Sequence, residues 1–444
     1  MTIPRTICLG FLAVITVGTM LLMMPFSTST GNWNDPIRAL FTATSAVCVT
    51  GLIVVDTGSY FSFWGQLFIL CLIQIGGLGY MMITTFLALL IKRKFDFRQK
   101  FAIQQSFDRP FLQGSKNLVL SVLATTLIFE ITGIFFLLTV FSQDYSFAPS
   151  LWFAIFHSIS AWNNAGFSLF PDSLVGYQSS LILNLVISLL IIFGGIGYQV
   201  IIEMYLWGVS KVQNTRKKYC FSLNFKVVAT TTCTLLALGT IAFLFTEFNN
   251  PETLSSLPLS EKFIAAWFQS ITTRTAGFNT IDIETMTGAG LFITVGFMFI
   301  GASPSGTGGG IKTTTLGIII GCTNSILRGN NQVRMFKRTV PMPLILKAVA
   351  VVFGSGITIT IATILLSLTD SNLQLLKIAF EVVSAFATVG LSTGITDSIS
   401  SLGQIVLVFT MYVGRVGVLL FMSAILGDPE PSRIEYPQEN LLVG

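Results

Sequence analysis

The chain has 444 residues, of which 52% are hydrophobic and 10% charged, with one histidine and a formal net charge of +5. A soluble protein of this length carries roughly a quarter charged residues, so a soluble domain is excluded. The single His157 gives no basis for a histidine-rich metal site or a histidine-dependent nucleophile.

Charge is missing from six long stretches: Arg5 to Asp35, Asp56 to Lys92, Asp172 to Glu203, Lys226 to Glu247, Glu284 to Lys312 and Lys347 to Asp370. About 20 apolar residues span a bilayer core as a helix, so the chain crosses the membrane many times. The first stretch, Thr6 to Phe26, is longer than a usual signal-peptide core and is expected to be the first helix. Cys8, Cys48, Cys71, Cys220, Cys233 and Cys322 are scattered without metal or disulfide spacing and read as small apolar residues.

In chain order the pattern predicts four units of outer helix, polar loop and inner helix. Unit one (1–94) has these at about 6–26, 36–56 and 66–91; an amphipathic cytoplasmic linker at 95–115 follows. Unit two (116–210) reads about 118–142, 151–171 and 181–208, followed by a cytoplasmic linker at 211–225. Unit three (226–328) reads about 227–247, 260–280 and a broken 289–327, then a linker at 329–342. Unit four (343–427) reads about 343–368, 374–394 and 402–426, and a polar cytoplasmic tail occupies 428–444. The expected fold is an all-α polytopic membrane protein, with four repeats in a pseudo-four-fold arrangement around one central pore.

Each polar loop closes on a glycine in matched context: TATSAVCVTGL at Gly51, HSISAWNNAGF at Gly166, QSITTRTAGF at Gly277 and EVVSAFATVGL at Gly390. These glycines lie 115, 111 and 113 residues apart, the mark of a duplicated unit. Lys and Arg concentrate in the linkers between repeats, for example Lys92, Arg93, Lys94, Lys211, Lys217, Arg328 and Lys337. Basic excess marks the cytoplasmic side, so those linkers and both termini are expected inside and the loops open outward. A nucleic-acid patch does not explain a charge cluster that recurs once per repeat, and no nucleic-acid partner is expected.

Non-helical backbone at membrane depth survives only where protein buries it or water fills the space beside it. Four such loops imply a shared aqueous path. Stripping a cation of water requires oxygens that replace its shell, and rings of backbone carbonyls do this where glycine permits the backbone to turn them inward. Val49-Thr50-Gly51, Asn164-Ala165-Gly166, Thr275-Ala276-Gly277 and Thr388-Val389-Gly390 fit that role. About ten helix-forming residues precede each, presenting a negative helix end to the ion. Phe41, Phe156 and Phe380 lie ten residues before their glycines but Phe268 only nine, so strict four-fold symmetry is not expected.

These loops, with GGLGY at 76–80, GGIGY at 194–198, GASPSGTGGGIKTTT at 301–315 and MYVGRVG at 411–417, resemble the Trk/Ktr/HKT superfamily of potassium transporters over essentially the whole chain. The likeness is strongest to the ion-translocating membrane subunit of its Ktr branch. The resemblance implies potassium uptake across the cell membrane, often stimulated by or coupled to sodium, with no covalently bound cofactor. It also implies a homodimer in membrane lipid on a cytoplasmic ring of nucleotide-binding KtrA-type subunits. Potassium is bound at the filter carbonyls in this reading. Plant relatives with serine at the first filter position favour sodium; here Gly51 stands there, and a sodium-conducting or poorly selective member of the fold is the alternative.

Gly301, Ala302, Ser303, Pro304, Ser305, Gly306, Thr307, Gly308, Gly309 and Gly310 break the third inner helix and are expected to form an intramembrane gate below the filter. GTGGGIKT resembles a phosphate-binding loop but lacks its register, because Ile311 separates Gly310 from Lys312. Arg415 lies inside the last inner helix, where a charge is costly and usually faces a cavity; with the resemblance, it reads as a positive charge projecting into the pore. Arg274, three residues before a filter glycine, is expected behind the filter, bonded to loop carbonyls or paired with Glu381. His157 and Asn163 read as scaffold, and Glu130 as a helix carboxylate paired with a polar neighbour. Asp56, Asp172, Asp282 and Asp397 follow their glycines by 5, 6, 5 and 7 residues, as turn acids or as an outer vestibule that concentrates cations. An enzyme would need clustered His, Asp or Glu at one membrane face; no such cluster is visible, and an enzyme is not expected.

Overall fold

The computed structural model describes residues 2–79, 115–213, 219–330 and 332–427. The tail at 428–444, all of the 95–115 linker except Ser115, and the distal half of the first inner helix lie outside those residues.

The outer helices are α1 (Ile3–Met23), α5 (Ser115–Phe141), α9 (Leu223–Glu247) and α13 (Met342–Thr369), numbered in chain order with those that follow. All four are long and apolar enough to cross a membrane. The helices leading into the glycines are α2 (Pro36–Cys48), α6 (Phe147–Trp162), α10 (Leu259–Thr272) and α14 (Leu375–Ala387). Asp35 starts α2 by accepting from Ile37 N at 2.8 Å and Arg38 N at 3.1 Å, with Pro36 at the first helical position. A single turn, α3 (Thr57–Tyr60), follows the first glycine.

The inner helices are α4 (Phe63–Leu78), α7 (Leu181–Ile196), α11 (Gly288–Phe299) and α15 (Ser401–Val416). Each opens on a hydroxyl that accepts from the third amide of the helix. Ser62, Ser180, Thr287 and Ser400 accept from Gly65, Leu183, Gly290 and Gly403 at 3.3, 3.5, 3.0 and 3.1 Å. The same start signal four times over is the local imprint of the repeat.

The inner helices of repeats two and four are not the continuous spans expected at 181–208 and 402–426. α7 gives way to α8 (Tyr198–Val212) with a bend of 103°, and α15 to α16 (Val418–Leu426) with a bend of 95°. The hinges are Gly197 at φ +92° and Gly417 at φ +91°, a conformation that glycine adopts without steric cost. α4 stops at the corresponding Gly79, φ +80°. A helix of 16 residues measures about 24 Å, short of a hydrocarbon core of about 30 Å. Taken alone, each of these 16-residue helices is too short to span that core. In repeat three the break is wider: residues 300–312 separate α11 from α12 (Thr313–Leu327). A short hairpin, β1 (Arg334–Met335) with β2 (Arg338–Thr339), is a small departure from an all-helical reading.

Packing closes the four units into a ring. Each outer helix packs on the pore helix of its own repeat. Each inner helix also packs on the pore helix of the next: α4 on α6, α7 on α10, α11 on α14, and α15 back on α2. The core lies between these layers, where Phe41, Phe156, Phe268 and Phe380 are 0% exposed. Large exposed apolar residues, such as Phe135, Phe245, Phe353 and Leu368, face outward, as a lipid-facing surface requires.

Candidate functional site

The pore helices end in one construction. In repeat one, Thr50 N donates to Ser45 O at 2.8 Å and Val49 N to Ala46 O at 3.2 Å, the paired bonds of a Schellman stop. Repeat two repeats it with Ala165 N to Ser160 O and Asn164 N to Ala161 O, and repeat four with Val389 N to Ser384 O and Thr388 N to Ala385 O. Repeat three has one residue fewer and closes a tighter turn, Ala276 N to Thr272 O at 3.0 Å. The residue in the left-handed position is not glycine: Val49, Asn164, Thr275 and Thr388 have φ of 58, 57, 63 and 51°. β-branched residues rarely adopt this conformation, and holding one there costs about 1–3 kcal/mol. The positive φ returns at Gly51, Gly166, Gly277 and Gly390 (91, 69, 79 and 91°) and is absent from Thr50, Ala165, Ala276 and Val389 between them.

A hydroxyl behind each segment ties it to its pore helix. Ser45 Oγ accepts from Gly51 N at 3.1 Å and donates to Leu52 O at 2.7 Å. Ser384 Oγ accepts from Gly390 N at 3.1 Å. Ser160 Oγ donates to Phe167 O at 2.8 Å and Thr272 Oγ1 to Phe278 O at 2.5 Å. Sequence reasoning missed these anchors, although a hydroxyl six residues before the glycine in three repeats, and five in the shortened one, was there to be read.

The four glycines meet one another. A methyl group at Gly51 would strike Ala165 O and approach Gly166 Cα to 3.1 Å; at Gly166 it would reach Ala276 O at 2.7 Å and Gly277 Cα at 2.8 Å. At Gly277 it would reach Val389 O at 2.6 Å, and at Gly390 it would strike Thr50 O and approach Gly51 Cα to 3.0 Å. The circuit from repeat one to four and back is closed by backbone alone. Four C-terminal helix ends, each carrying a partial negative charge, converge on it.

The loop between α11 and α12 lies against this ring. Gly309 N donates to Thr388 Oγ1 at 3.0 Å, and Thr307 Oγ1 to Asn164 Oδ1 at 3.0 Å. A methyl at Gly308 would strike Thr275 Oγ1. Three of the four left-handed residues are thus touched by one loop. The loop is fastened to α7 by Ser303 N to Gly195 O at 3.0 Å and Thr307 N to Gly194 O at 3.1 Å, and to the start of α8 by Tyr198 N to Ser305 O at 3.3 Å. Gly301 N donates to Ile311 O at 2.9 Å, closing the loop's base, and Lys312 Nζ donates to Gly308 O at 2.8 Å. Arg415, in the last turn of α15, donates to Thr307 O and, at 2.5 Å, to Gly76 O of α4. It is part of the loop's fastening, with both recipients main-chain carbonyls.

Other singled-out residues fall as follows. Asp56 is half-buried and accepts from Gly58 N and Ser59 N at 3.4 and 3.0 Å. The exposed Asp172 and Asp282 accept from Gly176 N and Glu284 N at 3.0 Å each, and Asp397 is exposed. His157, 0% exposed, bonds Phe153 O at 2.8 Å and Ser168 Oγ at 2.9 Å. Asn163 Nδ2 donates to Gln74 Oε1 at 2.7 Å and to Glu130 Oε1 at 3.4 Å. The expected pairing of Arg274 with Glu381 does not occur. Glu381 accepts instead from Ser392 Oγ, from Thr393 N at 3.0 Å and from Thr396 Oγ1 at 3.0 Å. Among the described residues the one ion pair is Lys377–Glu284 at 3.4 Å.

Four pseudo-equivalent helix–loop–helix units, interlocked in a ring about one backbone constriction, define a multi-pass membrane protein of the pore-loop class. The chain belongs to the TrkH family of cation transport proteins, whose sequence profile matches residues 7–428. It is 38% identical to the Ktr system potassium uptake protein B of Vibrio alginolyticus, over 99% of this chain and 95% of that protein. It is 36% identical to the Ktr system potassium uptake protein B of Bacillus subtilis (strain 168), over 100% of this chain and 97% of that one. Among solved structures, the potassium transporter TrkH from Vibrio parahaemolyticus superposes with a TM-score of 0.71 at 17% identity, covering 95% of this chain and 85% of its own. That likeness is one of fold.

Proposed function

We propose that the chain is the ion-translocating membrane subunit of a Ktr-type potassium uptake system. The observation that carries this reading is the closed circuit of four glycines, each preceded by a left-handed residue two positions earlier. Positive φ two residues apart, at the left-handed residue and at the glycine, bends each segment sharply away from helix and strand geometry and leaves its carbonyls outside any helix. Four such segments around an axis supply a cage of oxygens that replaces the water shell of a cation. In this reading Val49 to Gly51, Asn164 to Gly166, Thr275 to Gly277 and Thr388 to Gly390 are the filter, with potassium as substrate at their carbonyls.

Residues 301–310 are the gate, and Arg415 its latch: a cation held by carbonyls under the filter both blocks the path sterically and repels an approaching ion. Asp172, Asp282 and Asp397, and to a lesser degree the capped Asp56, give the outer mouth its negative field. The basic inter-repeat linkers support cytoplasmic placement of both termini in a cell membrane. The full-length likeness to Ktr proteins supports a homodimer governed by a cytoplasmic nucleotide-binding partner of the KtrA type, with sodium as a stimulating or coupled ion. The test is rubidium uptake in bacteria lacking their own potassium uptake, with the chain expressed alone and with such a partner. Partner-dependent uptake that potassium competes for is the expected result; membrane-located protein with no uptake in either case overturns the reading.

A further inference from the structure

Arg274 is 8% exposed and its Nε has no hydrogen-bond partner among the described residues. It lines a narrow cavity between repeats two and three, walled by Ile192 of α7, Leu236 of α9, Ile271 of α10 and Ala302 of the loop. Thr232 of α9 lines the same cavity, and its hydroxyl is likewise buried without a partner.

The interface between repeats one and two shows what this one lacks. Ser158 Oγ donates to Glu130 O at 2.8 Å and Ser270 Oγ to Leu236 O at 2.9 Å, so Leu236 stands where Glu130 stands one repeat earlier. Arg274 and Asn163 each precede their filter glycine by three residues, and Ile192 and Gln74 each lie two residues before a Gly-Gly pair. The bonded set of Gln74, Asn163 and Glu130 thus becomes Ile192, Arg274 and Leu236. Thr126, which bonds Tyr198 OH at 3.0 Å, becomes the orphaned Thr232. The carboxylate has been lost at the place where a cation has been gained.

A guanidinium has five donors, no acceptor and a permanent charge, and an uncompensated charge in the interior is strongly unfavourable. The cavity is narrow and partly open, with room for about one small body. A neutral water would satisfy donors but leave the charge. We propose that the cavity between repeats two and three is a binding site for a monatomic anion, chloride in the cell, held by Arg274 and the Thr232 hydroxyl. Bound there, the anion cancels a positive field arising three residues from a filter glycine, and it touches the loop through Ala302.

The test is anomalous scattering from crystals of the full chain grown in bromide. A bromide peak between Arg274 and Thr232, lost in Arg274→Gln and weakened in Thr232→Val, is expected; an ordered water there with no anomalous signal overturns the site. Thr232→Val is near-isosteric and keeps the comparison open should Arg274→Gln fold poorly. A second arm rests on the potassium reading: rubidium flux into proteoliposomes, voltage clamped by a protonophore, with gluconate replacing chloride. Wild-type flux should fall about fivefold, within the usual range of coupling between sites, and Arg274→Gln should be indifferent to the anion. Bound bromide with anion-insensitive wild-type flux would overturn the effect on the pore, whereas no flux in any salt would count against the transport reading alone.

Discussion

Arg415 and Thr307 come from different repeats, 108 residues apart, and are joined by a hydrogen bond from the guanidinium to the Thr307 carbonyl. The second arm of the same guanidinium holds Gly76 O at 2.5 Å. One side chain of repeat four therefore fastens the loop of repeat three to the inner helix of repeat one. Hydrogen bonds to a charged group contribute about 1.5–3 kcal/mol each. Arg415→Ala removes two of them together with the charge, and rubidium flux through the reconstituted protein should rise at least about tenfold, since 1.4 kcal/mol is a factor of ten. Unchanged flux would remove Arg415 from the proposed gate.

Thr388 gives the loop a second tether, on the segment that leads to Gly390. Thr388→Val keeps shape but deprives Gly309 N of its acceptor at 3.0 Å. Leaving that amide unpaired costs about 1–3 kcal/mol, so resting leak should rise roughly fivefold or more. Combined with Arg415→Ala the two should be less than additive, because both release one loop. Full additivity in a double-mutant cycle would mean two separate effects.

In α14, the helix that leads to Gly390, Glu381 receives three donors, from Ser392, Thr393 and Thr396, and is 0% exposed. Glu381→Ala strands them and should lower stability by roughly 3 kcal/mol, while Glu381→Gln, which keeps an acceptor oxygen, should cost less. Thermal unfolding in detergent separates the two. Equal loss in both variants would point to the charge and not to the bonds.

The proposed role of Asp172, Asp282 and Asp397 at the outer mouth is a field effect, and a field is screened by salt. Asp172→Asn, Asp282→Asn and Asp397→Asn together should reduce uptake at about 10 mM salt, where charges are felt over about 30 Å, and have little effect at about 150 mM, where the range is about 8 Å. Equal loss at both salt concentrations would assign these residues to their turns, a role already visible in the bonds of Asp172 and Asp282 to Gly176 and Glu284.

The repeat was legible because duplication leaves a mark in linear order: four glycines at near-constant spacing, with a phenylalanine nine or ten residues before each. The break of the third inner helix was legible from five glycines and Pro304 among ten residues. The bends at Gly197 and Gly417 were not, because a single glycine also fits a straight helix and the largely apolar residues on either side carry the hydropathy across both hinges. What joins the repeats was also hidden. The bond from Gly309 to Thr388, the clasp of Arg415 on Gly76 and Thr307, and the unpaired state of Arg274 depend on which helix faces which. Ring closure decides that, and local pattern does not. The Glu381 expectation failed for the same reason: nearby hydroxyls and an amide satisfied the carboxylate first.

The proposed filter depends most on the glycine circuit, and Gly51 is its most constrained point. At φ +91°, any side chain there is strained, and its first atom meets the Ala165 carbonyl of the next repeat. The decisive measurement is competition between rubidium and sodium in cells that depend on this chain for potassium, wild type against Gly51→Ser. The proposed filter requires weakened rescue and a potassium preference that falls by about tenfold, about 1.4 kcal/mol of discrimination. Wild-type growth and wild-type selectivity in Gly51→Ser, with the protein present in the membrane, would contradict it.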